Sequence, residues 1–343
     1  MSLPSLKLAS ARSERYELRV TNAPQATTAR DLILGTISGY TYYQISRFVG
    51  TLGQSGSDAH VCLFSGPGIS AWTKRRLRRA GFEVVDYDEV FPFIRDPHPL
   101  APKSLPDPIY IFNYRHFLYY DYLLKHEGEF RNVLLTDVKD VVFQGDPFGF
   151  EIGDAIHVAM ESREIPVGQC SCTPEWILAG YDRRTLDRMR SKELSCAGTT
   201  IAPAGQMMRY LRLMLGEVQA MKDAYVCADQ AAHNVLLHDG KLEPVVRLYN
   251  FEGPILTVGT EPRYQLNGEG WMVNRDGSVI PIVHQYDRHA ELIELFEARV
   301  RPSRVGRALA AGAFWIASRA RPRVSRLASI VRSITPRRRR AVS

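Results

Sequence analysis

The first half of the chain alternates short apolar runs with amphipathic stretches. Leu32-Ile33-Leu34-Gly35-Thr36-Ile37 is a continuous apolar run, the pattern of a strand buried on both faces. Tyr42, Ile45, Val49 and Leu52 then recur at helical spacing, and Gly53 supplies a stop. His60–Phe64 reads as a second strand, Ser65-Gly66-Pro67-Gly68 as a turn, Ala71–Ala80 as a basic helix ending at Gly81, and Phe82–Asp86 as a third strand. This rhythm predicts an α/β fold with a mostly parallel, right-handedly wound sheet. A Pro-rich loop (Phe91–Pro108), a helix (Asn113–His126) and a strand (Asn132–Thr136) follow. Farther on, Ala155–Met160, Thr199–Ala202 and Val279–Val283 read as strands, and Gln206–Met221 and Ala228–Leu237 as helices. Residues 1–30 are polar and aperiodic, an N-terminal arm.

Composition narrows the class. With 45% hydrophobic and 24% charged residues the chain is ordinary globular material, neither wholly disordered nor fibrous. Its longest apolar stretch, Ala308–Ala317, is too short for a membrane span of roughly 20 residues, and the N-terminus lacks a signal-peptide apolar core. A cytoplasmic location is expected. The net charge of +7 is not evenly spread. Residues 301–343 hold twelve Arg and no acid, which leaves 32 basic and 37 acidic residues before them, a net charge of −5. A nucleic-acid-binding body is disfavoured, because its own face should carry the positive field. The segment 300–343 reads as a basic, partly amphipathic helical tail. Val324, Leu327, Ile330, Val331 and Ile334 share one face, and Arg337–Arg340 closes it. That pattern suits an anionic membrane surface, peripheral on the inner face of the plasma membrane; nucleic-acid binding or a plain disordered tail is the simpler alternative. Five cysteines without C-x-x-C spacing read as reduced thiols.

The segment that carries chemistry is Asn132-Val-Leu-Leu-Thr-Asp137-Val-Lys139-Asp140-Val-Val-Phe143-Gln-Gly-Asp-Pro-Phe148. A buried strand runs directly into two carboxylates, and apolar chain resumes at once. Open α/β sheets bind ligands at the carboxyl ends of their strands. Carboxylates beside Val-Val-Phe are costly to bury unless they are paired or hold a cation, and hard divalent ions take such oxygens. For a bare D-x-x-D, solvated acids capping a strand remain the plainer reading.

The surrounding residues change that balance. The segment resembles the metal-binding loop of GT-A glycosyltransferases, the D-x-D signature that follows a nucleotide-binding half-sheet, with one extra residue between Asp137 and Asp140. Three further stretches are similar to that family in the same order: Ser195-Cys-Ala-Gly198-Thr199-Thr-Ile201, Asp229-Gln230-Ala-Ala-His-Asn234, and Pro281-Ile-Val-His284-Gln-Tyr-Asp-Arg-His289. The resemblance spans Leu32 to His289 and implies one GT-A-like domain over residues 31–299. It implies a nucleotide-sugar donor, most simply UDP-linked, a glycan or lipid-linked acceptor, and Mn2+ or Mg2+ as cofactor.

It also implies roles. Asp140 is the direct metal ligand, Asp137 a second metal or ribose contact, and His284 the ligand that completes the set. Thr36 and Tyr40 hold the nucleotide base, although Tyr40 equally suits the core. Arg115 reaches the diphosphate, or forms an ion pair. Lys139 adds a second cation, or points to solvent. Gly198 and Thr199 contact the donor sugar, and Gln230 and Asn234 line the acceptor side. Asp229 and Glu161 are the candidate bases, with Asp229 also a plausible helix cap. The late His leans toward a retaining reaction. A sugar nucleotidyltransferase, sharing sheet and metal logic, and an inactive membrane-associated scaffold stay open. A haloacid dehalogenase-type phosphatase fits less well, since its motif opens the first strand and this one follows the fourth.

Overall fold

The computed structural model describes residues 29–87, 111–221 and 228–300. In chain order its first half comprises β1 (Arg30–Ile37), α1 (Tyr42–Leu52), β2 (His60–Ser65), α2 (Ala71–Arg79), β3 (Glu83–Asp86), α3 (Ile111–Lys125), β4 (Phe130–Thr136) and β5 (Val141–Phe143). The second half comprises β6 (Ile156–Met160), α4 (Thr173–Gly180), α5 (Arg183–Met189), β7 (Ser195–Pro203), α6 (Ala204–Ala220), α7 (Asp229–His238), β8 (Val245–Leu248), β9 (Ile255–Thr257), β10 (Ile282–His284) and α8 (Ala290–Val300).

Local chemistry sets these boundaries. Gln44 Oε1 accepts the Thr41 N–H at 2.9 Å and closes the first turn of α1. Ser70 Oγ accepts the Thr73 N–H at 3.1 Å and caps α2, which ends before Gly81 at φ +87°.

Seven strands form one sheet in the order β3-β2-β1-β4-β7-β6-β8. The β1, β2, β3 and β4 contacts are parallel, as is β6 with β8; β7 runs antiparallel to both neighbours. The sheet is thus mostly parallel, as the strand–helix rhythm predicts. Alternating residues explain why the strands read as unbroken apolar runs. Leu32, Leu34, Val133 and Leu135 pack on the face covered by α3, α6 and α7, whereas Ile33, Ile37 and Leu134 pack on the face with α1 and α2.

Two features depart from the sequence reading. The strand predicted at Thr199–Ala202 begins four residues earlier, at Ser195. The stretch Val279–Val283 yields a strand only at Ile282–His284, with Val279 in an isolated bridge to Val273. That strand, β10, belongs to a second sheet of order β5-β10-β9. α8 closes the body against α1: Tyr43 Oη donates to Glu297 Oε1 at 2.7 Å, and Val300 packs over Gly50. The N-terminal arm through residue 28, the Pro-rich loop and the basic tail from 301 lie outside the described residues. Among the described residues no helix is long and apolar enough to cross a membrane.

Candidate active site

The two sheets converge at the end of β4. Asp137 follows the last residue of that strand, and its N–H donates to Gly198 O on β7 at 2.8 Å. Three residues on, Asp140 precedes β5. β5 pairs antiparallel with β10, setting His284 opposite Val141, and the Gln285 N–H donates to Asp140 O at 2.8 Å. Gln285 sits at φ +60°, where the chain turns away from the strand. Residues 144 positions apart in sequence, Asp140 and His284, thereby become neighbours.

His284 is buried, and its Nε2 lies 3.4 Å from Asp137 Oδ2 and 3.8 Å from Asp140 Oδ1. One ligand atom from each of the three residues falls within 4.8 Å of the other two. Nε2 makes no hydrogen bond, and Nδ1 lies 3.6 Å from Cys196 Sγ. An orphaned buried imidazole nitrogen facing two carboxylate oxygens is a donor set suited to a divalent cation. Burial alone would raise the Asp137 carboxyl, yet Arg115 and His284 beside it hold it well below the usual carboxylate range. Burial pushes Asp140 up. Burial disfavours the charged ring of His284, but Cys196, Asp137 and Asp140 around it hold its pKa well above the ordinary value.

Asp137 and Asp140 line a cleft of about 440 Å³, with His284 buried beside them. Thr36, near the end of β1, and Tyr40, in the loop after it, line the cleft, with Lys139, Gly198 and Gln230 on other walls. Tyr40 also packs against the apolar layer beneath. Lys139 Nζ pairs with Asp287 Oδ2 at 2.9 Å. Arg115 is buried rather than on the surface, and both its arms are engaged. One holds Asp137 Oδ1, and the other lies 2.8 Å from Asp229 Oδ2.

Asp229 is the first residue of α7, with Ala228 as the cap position, and its Oδ1 accepts the Gln230 N–H at 2.9 Å. Gln230 Nε2 donates to Glu161 Oε1 at 3.1 Å. Glu161 follows β6; burial, reinforced by Cys170, pushes its carboxyl up to about 7.

Four residues assigned from sequence are not among those lining the cleft: the buried His284 and Glu161, and Asn234 and Thr199. Asn234 bonds both sides of the Ser195 backbone, accepting from its N–H at 2.9 Å and donating to its carbonyl at 2.8 Å. It staples α7 to β7 behind the site. Thr199 is fully buried, and alternation along β7 turns it away from the face that Gly198 presents.

The cleft also holds residues that sequence reasoning left unassigned: Phe112, Trp176, Gln285 and Arg288. Arg288 and Gln285 lie within the stretch quoted for His284, and the short turn Tyr286–Arg288 swings Arg288 back toward the triad. Trp176 carried no signal, since it arrives on α4 from a separate part of the chain.

No family model matches the chain, and no curated protein matches it in sequence. Solved structures give remote likenesses. The galactosyltransferase LgtC, in complex with donor and acceptor sugar analogues, is 15% identical and covers 78% of this chain and 95% of its own, at a TM-score of 0.45. An active-site mutant of LgtC gives 15%, 78%, 94% and 0.43. Core-mannan synthase A from Aspergillus fumigatus, in its Mn/GDP form, is 10% identical and covers 66% of this chain and 74% of its own, at 0.35. At such distances the chemistry has to be read from the side chains of the cleft.

Proposed function

We infer that the protein is a GT-A-type glycosyltransferase that moves a sugar from a nucleotide donor, most simply UDP-linked, to a glycan or lipid-linked acceptor. The observation that supports this reading best is the unpartnered His284 Nε2 facing Asp137 and Asp140 at the carboxyl end of a parallel strand. Asp137, Asp140 and His284 would hold Mn2+ or Mg2+, which neutralises charge on a diphosphate leaving group when bound.

The chain's own groups divide the remaining work. Arg288 and Lys139 line the cleft, both paired with Asp287 at 3.6 and 2.9 Å, and would turn toward a diphosphate bound there. Thr36, at the carboxyl end of β1, and Tyr40, in the loop after it, are placed for the nucleoside. Gly198 presents bare backbone on β7 to the donor sugar. Arg115 lines the cleft while it holds Asp137 and Asp229, so it positions both carboxylates and stands within reach of the donor diphosphate.

The acids among the cleft's described residues are Asp137, Asp140 and Asp229. The first two belong to the triad and the third is bound by Arg115. Glu161 stands behind Gln230. The likeness of the late His284 stretch to retaining families supports a retaining course, in which no base is needed on the acceptor side.

The reading is tested by thermal shift with UDP- and GDP-sugars, with and without Mn2+. A cognate donor raises the melting point by linkage, and only with the metal. Unmoved melting with every nucleotide and Mn2+ would remove the donor assignment. Release of pyrophosphate from a nucleoside triphosphate and a sugar phosphate would move the protein to the nucleotidyltransferases.

A further inference from the structure

α2 carries a surface that the cleft chemistry does not use. Lys74, Arg75, Arg76, Arg78 and Arg79 make up five of its nine residues, and it has no acid. In a body of net negative charge this is a local reversal of sign. Thr73 and Leu77 face inward and are buried. Trp72, Arg75, Arg76 and Arg79 follow at i, i+3, i+4 and i+7, so they share the opposite face, and all four are exposed, Trp72 by 48%.

The tryptophan is held at the surface by its neighbours. Tyr42 packs edge-on against it at 5.5 Å, and the Arg76 guanidinium lies 4.4 Å from the Tyr42 ring and 5.1 Å from that of Trp72. Lys74 pairs with Asp86, and Arg78 donates to the Val84 carbonyl. Arg75 and Arg79 have neither an ion pair nor a hydrogen bond among the described residues. An exposed indole beside uncompensated guanidinium groups matches the chemistry of a bilayer interface. The ring suits the headgroup level, and the cations suit lipid phosphates.

We propose that this face of α2 docks the protein on an anionic phospholipid surface, with Trp72 among the headgroups and Arg75, Arg76 and Arg79 on their phosphates. The face adjoins the cleft. The turn leading into α2 packs on the loop after β1: the Gly39 N–H donates to Pro67 O at 2.9 Å, and a Cβ on Gly68 would stand 3.2 Å from Gly39 Cα. Ser38 and Tyr40, on either side of Gly39, line the cleft. Docking through α2 therefore sets one wall of the cleft close to the lipid. The inference is independent of the transferase reading and of the tail beyond residue 300.

The test uses the full chain and vesicles of phosphatidylglycerol and phosphatidylcholine, with pure phosphatidylcholine as the neutral control. Lipids brominated near the headgroup report insertion of tryptophan. Wild-type fluorescence should be quenched on anionic vesicles only, and Trp72→Phe should lose a clear part of that quenching. Arg75→Glu/Arg79→Glu should weaken sedimentation with anionic vesicles by about tenfold or more, since each cation at such a surface contributes about as much as a several-fold change in partitioning. Quenching unchanged in Trp72→Phe overturns the proposal. So does unchanged vesicle binding in the charge-reversed variant, including the case where that variant loses only affinity for duplex DNA.

Discussion

Gly198 lies so close to His284 that β7 can carry no side chain at that point. A Cβ there would collide with His284 Cε1, and would stand 2.9 Å from Nε2 and 2.6 Å from Asp137 Oδ2. The missing Cβ is what lets imidazole and carboxylate meet over the strand. Gly198→Ala is expected to displace one of them and to weaken Mn2+ binding by about 10–100-fold, the range seen when groups supporting a metal site are lost. Titration calorimetry measures this directly. Wild-type affinity in the variant would separate the triad from any metal.

Asp140→Asn keeps the shape of the side chain and removes a negative ligand. Donor binding that depends on Mn2+ should be abolished while the fold is kept. His284→Ala should weaken binding less, because two carboxylates remain. Both are read from the Mn2+-dependent thermal shift given by UDP. A full shift in Asp140→Asn would take Asp140 out of the site, and an unchanged one in His284→Ala would return His284 to a packing role.

Arg115 joins the end of β4 to the start of α7 by pairing with Asp137 and Asp229 at once. Arg115→Met preserves bulk and leaves the buried Asp229 and the half-buried Asp137 without their guanidinium partner. Breaking a buried pair from one side costs about 3–5 kcal/mol. Urea unfolding should show a loss of that order, with Arg115→Lys losing less. A loss below about 1 kcal/mol would mean that water or a bound cation compensates the acids.

The elements of the first half were legible because β1, β2 and β4 carry apolar runs, and α1 and α2 each have a cap and a glycine stop. The acids after β4 were legible for the same reason, since apolar sequence on both sides makes Asp137 and Asp140 conspicuous. Their meeting with His284 was legible only through resemblance. It depends on the β5–β10 pairing, which brings together three-residue strands with no periodicity of their own. Asn234 and Thr199 show the opposite limit. Gln230 and Gly198 line the cleft, but Asn234 lies one turn farther along α7 on the same face, against the Ser195 backbone, and Thr199, one step along β7, points to the other face. Arg115 was visible as a cation before the metal strand. That both its arms are taken depends on Asp229, 114 residues later.

Glu161 makes stability depend on pH in an unusual direction. Burial, with Cys170 nearby, raises its carboxyl from 4.5 to about 7 in the folded protein. Between those values the folded state holds a proton that the unfolded state has released. This group therefore favours folding most fully below the unfolded value, and its contribution falls as pH rises toward 7 and is flat above it. Each unit is about 1.4 kcal/mol, so the whole window is worth up to about 3 kcal/mol. Glu161→Gln imitates the protonated form and keeps an acceptor for Gln230 Nε2. The variant should match wild type near pH 4.5 and exceed it at pH 8, with urea midpoints at the two pH values as the measurement. A variant no more stable than wild type at pH 8 would show that the ionised carboxylate of Glu161 is accommodated without penalty.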